Sequence, residues 1–137
     1  MTPRSRHTYT VLVIDDDPSV LATYRRLLNR AGYTTITEND PLKVLDNGYE
    51  NSGPDLLLLD YRMPGMDGLS LLAELRRREC RAHCILLSAY LNDDVRSQAR
   101  MLGVARILDK PVDACALREA IQTLLPLDRQ TKAEIAG

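Results

Sequence analysis

The 137-residue sequence has no tryptophan and no phenylalanine, only two histidines and three cysteines, and almost no net charge. Each scarcity removes a class of function. Cys80, Cys84 and Cys115 are odd in number, lack paired metal-ligand spacing and have only His7 and His83 to supplement them, which speaks against a disulfide framework and against zinc. Cys84 sits inside an apolar run and reads as a small core residue. Lys and Arg total 18 against 19 Asp and Glu, a formal net charge of -1, so no global field draws the chain to nucleic acid or to anionic lipid. No apolar run approaches the roughly 20 residues of a membrane helix, and residues 1–10 lack the apolar centre of a signal peptide. The expectation is a soluble, cytoplasmic protein with no membrane partner. Lysine is scarce as well, three against fifteen arginines, which gives weight to the place where a lysine stands.

What is present is an alternation of two patterns. Residues 9–14 are β-rich and apolar, end in Asp15, Asp16 and Asp17, and lead through Pro18 into a helical pattern carried by Val20, Leu21, Tyr24, Leu27 and Leu28. Pro after an Asp cap and Gly32 after the last turn are the expected helix boundaries. Residues 33–37 predict a second strand, with Asp40 and Pro41 opening a short helix towards Gly48. Residues 56–59 are continuously apolar, as in a central parallel strand covered on both faces, and stop at Asp60. Leu69, Leu72 and Leu75 mark a third helix, 84–87 a fourth strand ending at Ser88, and Asn92 caps a fourth helix that Gly103 ends. Residues 104–108 predict a fifth strand before Asp109 and Lys110, and 112–125 a fifth helix. Such alternation implies one α/β domain over 9–126, a parallel sheet with helices on both faces. Residues 1–8 read as an arm and 127–137 as a tail or linker.

In a parallel sheet the carboxyl ends of all strands lie on one edge, and ligands bind there. The strand ends bring Asp15 and Asp16, Asp60, Ser88 and Lys110 to that edge. Crowded carboxylates raise one another's pKa unless a cation neutralises them. With oxygen donors alone at these ends, the cation expected is hard: magnesium, with manganese as substitute. Magnesium keeps coordination places open for a phosphoryl oxygen, so phosphate chemistry follows. Taken singly, each strand-end Asp has a plainer explanation as a turn or cap residue, and Asp17 before Pro18 and Asp67 in the loop 63–68 fit helix capping better than metal binding. That loop lacks phosphate-loop spacing. Arg76, Arg77, Arg78 and Arg81 cluster at a helix end, where cations complement the macrodipole. With no interleaved aromatic residues, a solvated helix end is expected there and not a nucleic-acid site.

Four stretches, in this order and spacing, resemble the receiver domains of two-component response regulators: 11–17, 59–68, Leu87-Ser88-Ala89, and Gly103-Val104-Ala105 leading to Lys110-Pro111. The resemblance implies a flavodoxin-like (βα)5 fold with strand order 2-1-3-4-5. It implies that Asp60 accepts a phosphoryl group, that Asp16, Asp60 and the backbone carbonyl of Arg62 bind the metal, and that Asp15 holds a metal-bound water. Lys110 then offsets charge on the transferring group, Ser88 hydrogen-bonds a phosphoryl oxygen, and Ala89 leaves the acceptor accessible. A cis peptide is implied at Lys110-Pro111. About two added negative charges would draw Ser88 inward and reposition the fourth helix and fifth strand. Ile107 stands where receivers often carry Tyr or Phe, which separates phosphorylation here from coupling through an aromatic rotamer. Arg62 and Tyr90 take positions that tune dephosphorylation, and their bulk implies a moderately long-lived phosphoform.

The partners implied are a histidine kinase or a histidine phosphotransfer protein. A homodimer through the fourth and fifth helices is the other association the sequence allows, since Asp93, Asp94, Arg96 and Arg100 offer complementary charges, although exposed helix charges are usually only solvated. Two competing functions fit the sequence less well than the switch. Asp15 and Asp17 also form the Asp-x-Asp of haloacid-dehalogenase-type phosphatases, but Ser19 matches their pattern only in part and no residues remain to build a cap domain. An unphosphorylated interaction module is disfavoured by the intact set Asp15, Asp16, Asp60, Ser88 and Lys110. The expected role is therefore a signalling switch and not an enzyme acting on other substrates.

Overall fold

Five strands and five helices alternate through the computed structural model, which describes residues 8–49, 51 and 53–127. Strands β1 (Thr10–Ile14), β2 (Thr34–Glu38), β3 (Leu56–Asp60), β4 (His83–Ser88) and β5 (Arg106–Asp109) form one parallel sheet in the order β2-β1-β3-β4-β5. Between and after them run α1 (Pro18–Ala31), α2 (Pro41–Asp46), α3 (Gly68–Arg77), α4 (Asp93–Met101) and α5 (Ala114–Leu124). This is the expected α/β fold and strand order. Most of the expected arm over 1–8 and tail over 127–137 lies outside the described residues.

The helices begin where short polar side chains stand in extended backbone. Asp17, Asp40, Asp67 and Asn92 each accept a hydrogen bond from an amide of the first turn of the helix that follows, satisfying donors that have no partner inside a helix. Asp113 does the same for α5, which starts at Ala114 and not at Val112. Gly32 closes α1 with φ 108, a conformation that costs glycine little.

β3 is buried at every position, because apolar cover lies on both faces of the sheet. Leu57 and Leu59 face one core, shared with Leu71, Leu72 and Leu75 of α3 and Val95 and Ala99 of α4. Leu56 and Leu58 face the other, shared with Leu21 and Leu28 of α1 and Leu117 and Ile121 of α5. A continuous apolar run is what such a strand requires.

Two further boundaries differ from the sequence expectation for reasons visible in the backbone hydrogen bonds. Tyr33 does not open β2: its amide donates to Leu28 O and closes α1, while its hydroxyl donates to Leu125 O, and burial pushes that phenol up to about 12. Val104 and Ala105 do not belong to β5, since the Val104 amide returns to Ala99 O at the end of α4 and the Ala105 amide reaches Cys84 O. Helix closure takes the Val104 amide, Ala105 makes the first contact with β4, and β5 starts at Arg106.

The basic cluster at the end of α3 is not uniformly solvated. Arg77 and Arg78 pair with Glu74 at 3.1 and 3.0 Å, as surface helix charges do. Half-buried Arg76 instead donates to three carbonyls, Leu102 O at 3.0 Å, Cys80 O at 3.0 Å and Ala82 O at 2.7 Å, clamping the end of α4 to the start of β4. Arg76→Met is expected to lower the unfolding free energy by about 2 kcal/mol, because charge-assisted bonds to half-buried carbonyls are lost. Arg77→Ala should stay within about 0.5 kcal/mol. Urea denaturation of the two variants distinguishes a clamp from a solvated helix end; equal small effects would refute the clamp.

Candidate functional site

The register places the polar residues together. Ile14 stands opposite Leu59, so the residues that follow, Asp15 and Asp60, are neighbours at the carboxyl edge of β1 and β3. Backbone bonds beyond the strand ends fix the rim: Asp15 N to Glu38 O, Tyr61 N to Leu87 O and Lys110 N to Ser88 O. Carboxylate oxygens of Asp15, Asp16 and Asp60 all lie within 4.8 Å of one another. Asp15 and Asp60 are buried and Asp16 is exposed. Lys110, joined to Pro111 by a cis peptide, brings its Nζ to 2.9 Å from Asp60 Oδ1 and 3.7 Å from Asp15 Oδ2.

Three carboxylates against one ammonium leave a residual charge of about minus two. At such separations each carboxylate pair repels by about 3 kcal/mol even at an effective dielectric of about 20. The strain shows in Asp15. Burial pushes its carboxyl up to about 6, with Asp60 and Asp16 adding to the rise while the Asp17 amide and Lys110 oppose it. Its Oδ1 accepts from Asp17 N at 3.0 Å, but its Oδ2 is buried with no hydrogen-bond partner. An orphaned buried oxygen, an all-oxygen donor set and a residual charge near minus two fit a hard divalent cation. Burial is the largest single influence on Lys110 and pulls it down, yet its hydrogen bond to Asp60 and the charges of Asp60 and Asp15 hold it above its usual value.

Ser88 is buried beside this cluster, at the end of β4, but its hydroxyl is engaged elsewhere. It donates to Tyr90 O at 3.1 Å and accepts from Tyr90 N at 3.0 Å. Asp17 stays out of the cluster: Oδ1 takes both the amide and the hydroxyl of Ser19, which hold its carboxyl below the usual value. The Asp-x-Asp pair is thereby divided between a rim group and a helix cap. Arg62, two residues after Asp60, lays its guanidinium over the Tyr90 ring at 4.6 Å from the centroid. This contact joins the loops after β3 and β4, the two loops that border Asp60. The bulk of both residues is legible in the sequence, their contact is not. Tyr24, which reads as an ordinary apolar position of α1, is half-buried and feels the charges of Lys110, Asp15 and Asp60 while burial raises its pKa. A tyrosine at an inward helix position is the signal that points to a polar neighbour.

The family model described as the response regulator receiver domain matches residues 11–122. Sporulation initiation phosphotransferase F of Bacillus subtilis strain 168 is 31% identical over 85% of this chain and 94% of its own. The DNA-binding transcriptional regulator NtrC of Escherichia coli K12 is 38% identical over 75% of this chain, which spans only 22% of that longer protein. Among solved structures, the receiver domain of Francisella response regulator 1452 superposes with a TM-score of 0.76 at 27% identity, covering 85% of this chain and 96% of its own. With fold, rim and sequence all agreeing over most of its length, the chain belongs to the response regulator receiver domains, the signalling switches of two-component systems.

Proposed function

We propose that the chain, as a domain over residues 9–126 acting in the cytoplasm, accepts a phosphoryl group on Asp60 from a histidine kinase or histidine phosphotransfer protein. The observation that supports this most is the meeting of Asp15, Asp16 and Asp60 with the Lys110 ammonium 2.9 Å from Asp60. In the transfer, an Asp60 carboxylate oxygen bonds to phosphorus as the bond to the donor's imidazole nitrogen breaks; the donor ring, protonated on its other nitrogen, keeps the bonding pair and leaves as neutral imidazole. Asp16, Asp60 and the Arg62 carbonyl would hold the cation, magnesium or manganese, with Asp15 behind them. When bound, it supplies Lewis-acid neutralisation of charge on the phosphoryl oxygens. Lys110 fixes the Asp60 carboxylate and stabilises charge on the transferring group, so catalysis rests on positioning and electrostatics.

Ser88 provides the switching step. To donate to the new oxygens its hydroxyl must give up the bond it donates to Tyr90 O, and Tyr90 stands two residues before Asn92, the cap of α4. Phosphorylation therefore works on the entrance to α4, and through it on the α4, β5 and α5 face.

The test is incubation with a small phosphodonor and magnesium followed by intact mass. The parent chain is expected to gain one phosphoryl group, and Asp60→Asn or added chelator to abolish the gain. No gain, or a gain that survives in Asp60→Asn, refutes the assignment. Turnover of a phosphate ester lost in Asp15→Asn but kept in Asp60→Asn would instead favour a phosphatase.

The Arg62–Tyr90 stack closes one approach of water to Asp60. Such a contact contributes about 0.5–1 kcal/mol at an exposed site, enough to hold the loops together without preventing entry of a donor. Arg62→Ala and Tyr90→Ala are each expected to shorten the lifetime of the phosphoform severalfold at neutral pH, measured by loss of phosphate after removal of the donor. Loss within seconds in the parent chain contradicts the shielding.

A further inference from the structure

A groove of about 290 Å³ lies between α4 and β5. Ala99, Val104 and Ile107 line it together with Arg96, Arg100 and Arg106. The arginines are exposed, and none has an acidic or hydrogen-bonding partner for its side chain among the described residues. Arg96 and Arg100 stand four residues apart on α4, a like-charge spacing that destabilises a helix by about 0.2–0.5 kcal/mol. A chain whose formal net charge is -1 thus concentrates three uncompensated cations around one short groove.

We propose that this groove docks an acidic segment of a partner protein, one that lays an apolar side chain against Val104 and Ile107 and sets carboxylates against Arg96, Arg100 and Arg106. Charge complementarity selects the occupant. Acidic residues that do not line the groove end both elements, Asp93 and Asp94 opening α4 and Asp109 closing β5, so a long polyanion laid along either element would meet repulsion. No aromatic residue lines the groove to stack a base. A second copy is the weaker occupant. No carboxylate lines the groove, a two-fold contact sets the same three arginines against each other, and Asp93 lies about 10 Å along the helix from Arg100.

This deepens the reading of α4 and β5 as the output face. It rests on that reading only for its regulation, because docking itself needs no phosphate. The test therefore uses the unphosphorylated full chain, and its failure leaves phosphorylation of Asp60 standing. The chain, labelled with nitrogen-15, is titrated with a short synthetic peptide of glutamates around a central leucine, with the glutamine counterpart, and with a single-stranded oligonucleotide of equal charge. The glutamate peptide is expected to shift the amides of Arg96, Arg100, Arg106 and Ile107, with binding weakened by added salt. Replacing all three residues, Arg96→Gln, Arg100→Gln and Arg106→Gln, should cost about tenfold or more in affinity, as the sum of three exposed charge pairs. Ala105→Glu, which adds a carboxylate at the groove's exposed lip, should weaken binding as well and gives a second reading if the triple variant folds poorly. Absence of shifts at the groove, equal binding of the glutamine peptide or the oligonucleotide, or unchanged affinity in both variants overturns the proposal. So does a dimer in sedimentation that the same substitutions dissolve.

Discussion

Asp15→Asn is expected to stabilise the metal-free protein at pH 7 by on the order of 2 kcal/mol, while abolishing the stabilisation that magnesium gives the parent chain. Asp15 holds a buried carboxylate whose Oδ2 has no hydrogen-bond partner and whose pKa is pushed up to about 6, first by loss of water and then by Asp60. Because the folded pKa lies above the unfolded value of 3.8, the folded state binds the proton more tightly. Below the unfolded value Asp15 is protonated in both states and imposes no charge penalty. As pH rises towards 6 the unfolded chain releases its proton first, stability falls, and above 6 the full penalty remains. An asparagine keeps an oxygen for the Asp17 amide and carries no charge, so the stability difference between variant and parent should grow through that window and then level off. Chemical denaturation in chelator across this range measures it. Repetition with magnesium should raise the parent and leave the variant nearly unchanged. A variant less stable than the parent in chelator at pH 7 would mean that Lys110 already neutralises the rim, and that no further cation is called for.

Much of this rim is legible in the sequence because a parallel sheet converts chain order into spatial coincidence. Asp15, Asp60, Ser88 and Lys110 are scattered over 95 positions, yet each follows an apolar run, and parallel register carries every run's end to the same edge. Four of the five helix starts are legible for a local reason, since an Asp or Asn cap beside its helix competes with nothing distant; α5 is the exception, its Asp113 cap lying inside the span expected to be helical. What the sequence does not disclose depends on long or rotatable side chains. The three carbonyls that hold Arg76 come from residues 80, 82 and 102, so its clamp cannot be told from the solvated pairing of Arg77. The Ser88 hydroxyl has two sets of partners within reach, the Tyr90 backbone and the rim, and the identity of the residue does not choose between them. The start of β5 is hidden because Val104 suits a strand by its side chain while its amide closes α4. In each case the residue's identity suits two arrangements, and the backbone group it meets decides.

Gly68 offers the sharpest contrast between local preference and tertiary packing. It opens α3 with its amide donating to Tyr61 O at 2.7 Å, and by helix propensity alone alanine should be better there by up to about 1 kcal/mol. A Cβ at this position would overlap the Asp60 carbonyl oxygen and stand 3.1 Å from Leu59 Cγ. The first obstacle is backbone of the central strand, which cannot rotate aside, so α3 must retreat together with buried Leu69, Leu71, Leu72 and Leu75. Overpacking of that kind costs about 1–3 kcal/mol and exceeds the propensity gain. Gly68→Ala is therefore expected to lower stability by about 2 kcal/mol and to slow phosphorylation, since the clash falls on the backbone of Asp60 itself. Gly65→Ala is the control. Gly65 has φ +87 with nothing within 4 Å of a new Cβ, so the substitution strains the backbone, should cost about 1 kcal/mol, and should leave the phosphorylation rate unchanged. Urea denaturation and the rate of mass gain from a small phosphodonor read both variants. If Gly68→Ala were as stable as the parent and equally fast, the close seating of α3 beneath Asp60 would not be what fixes the acceptor at the rim.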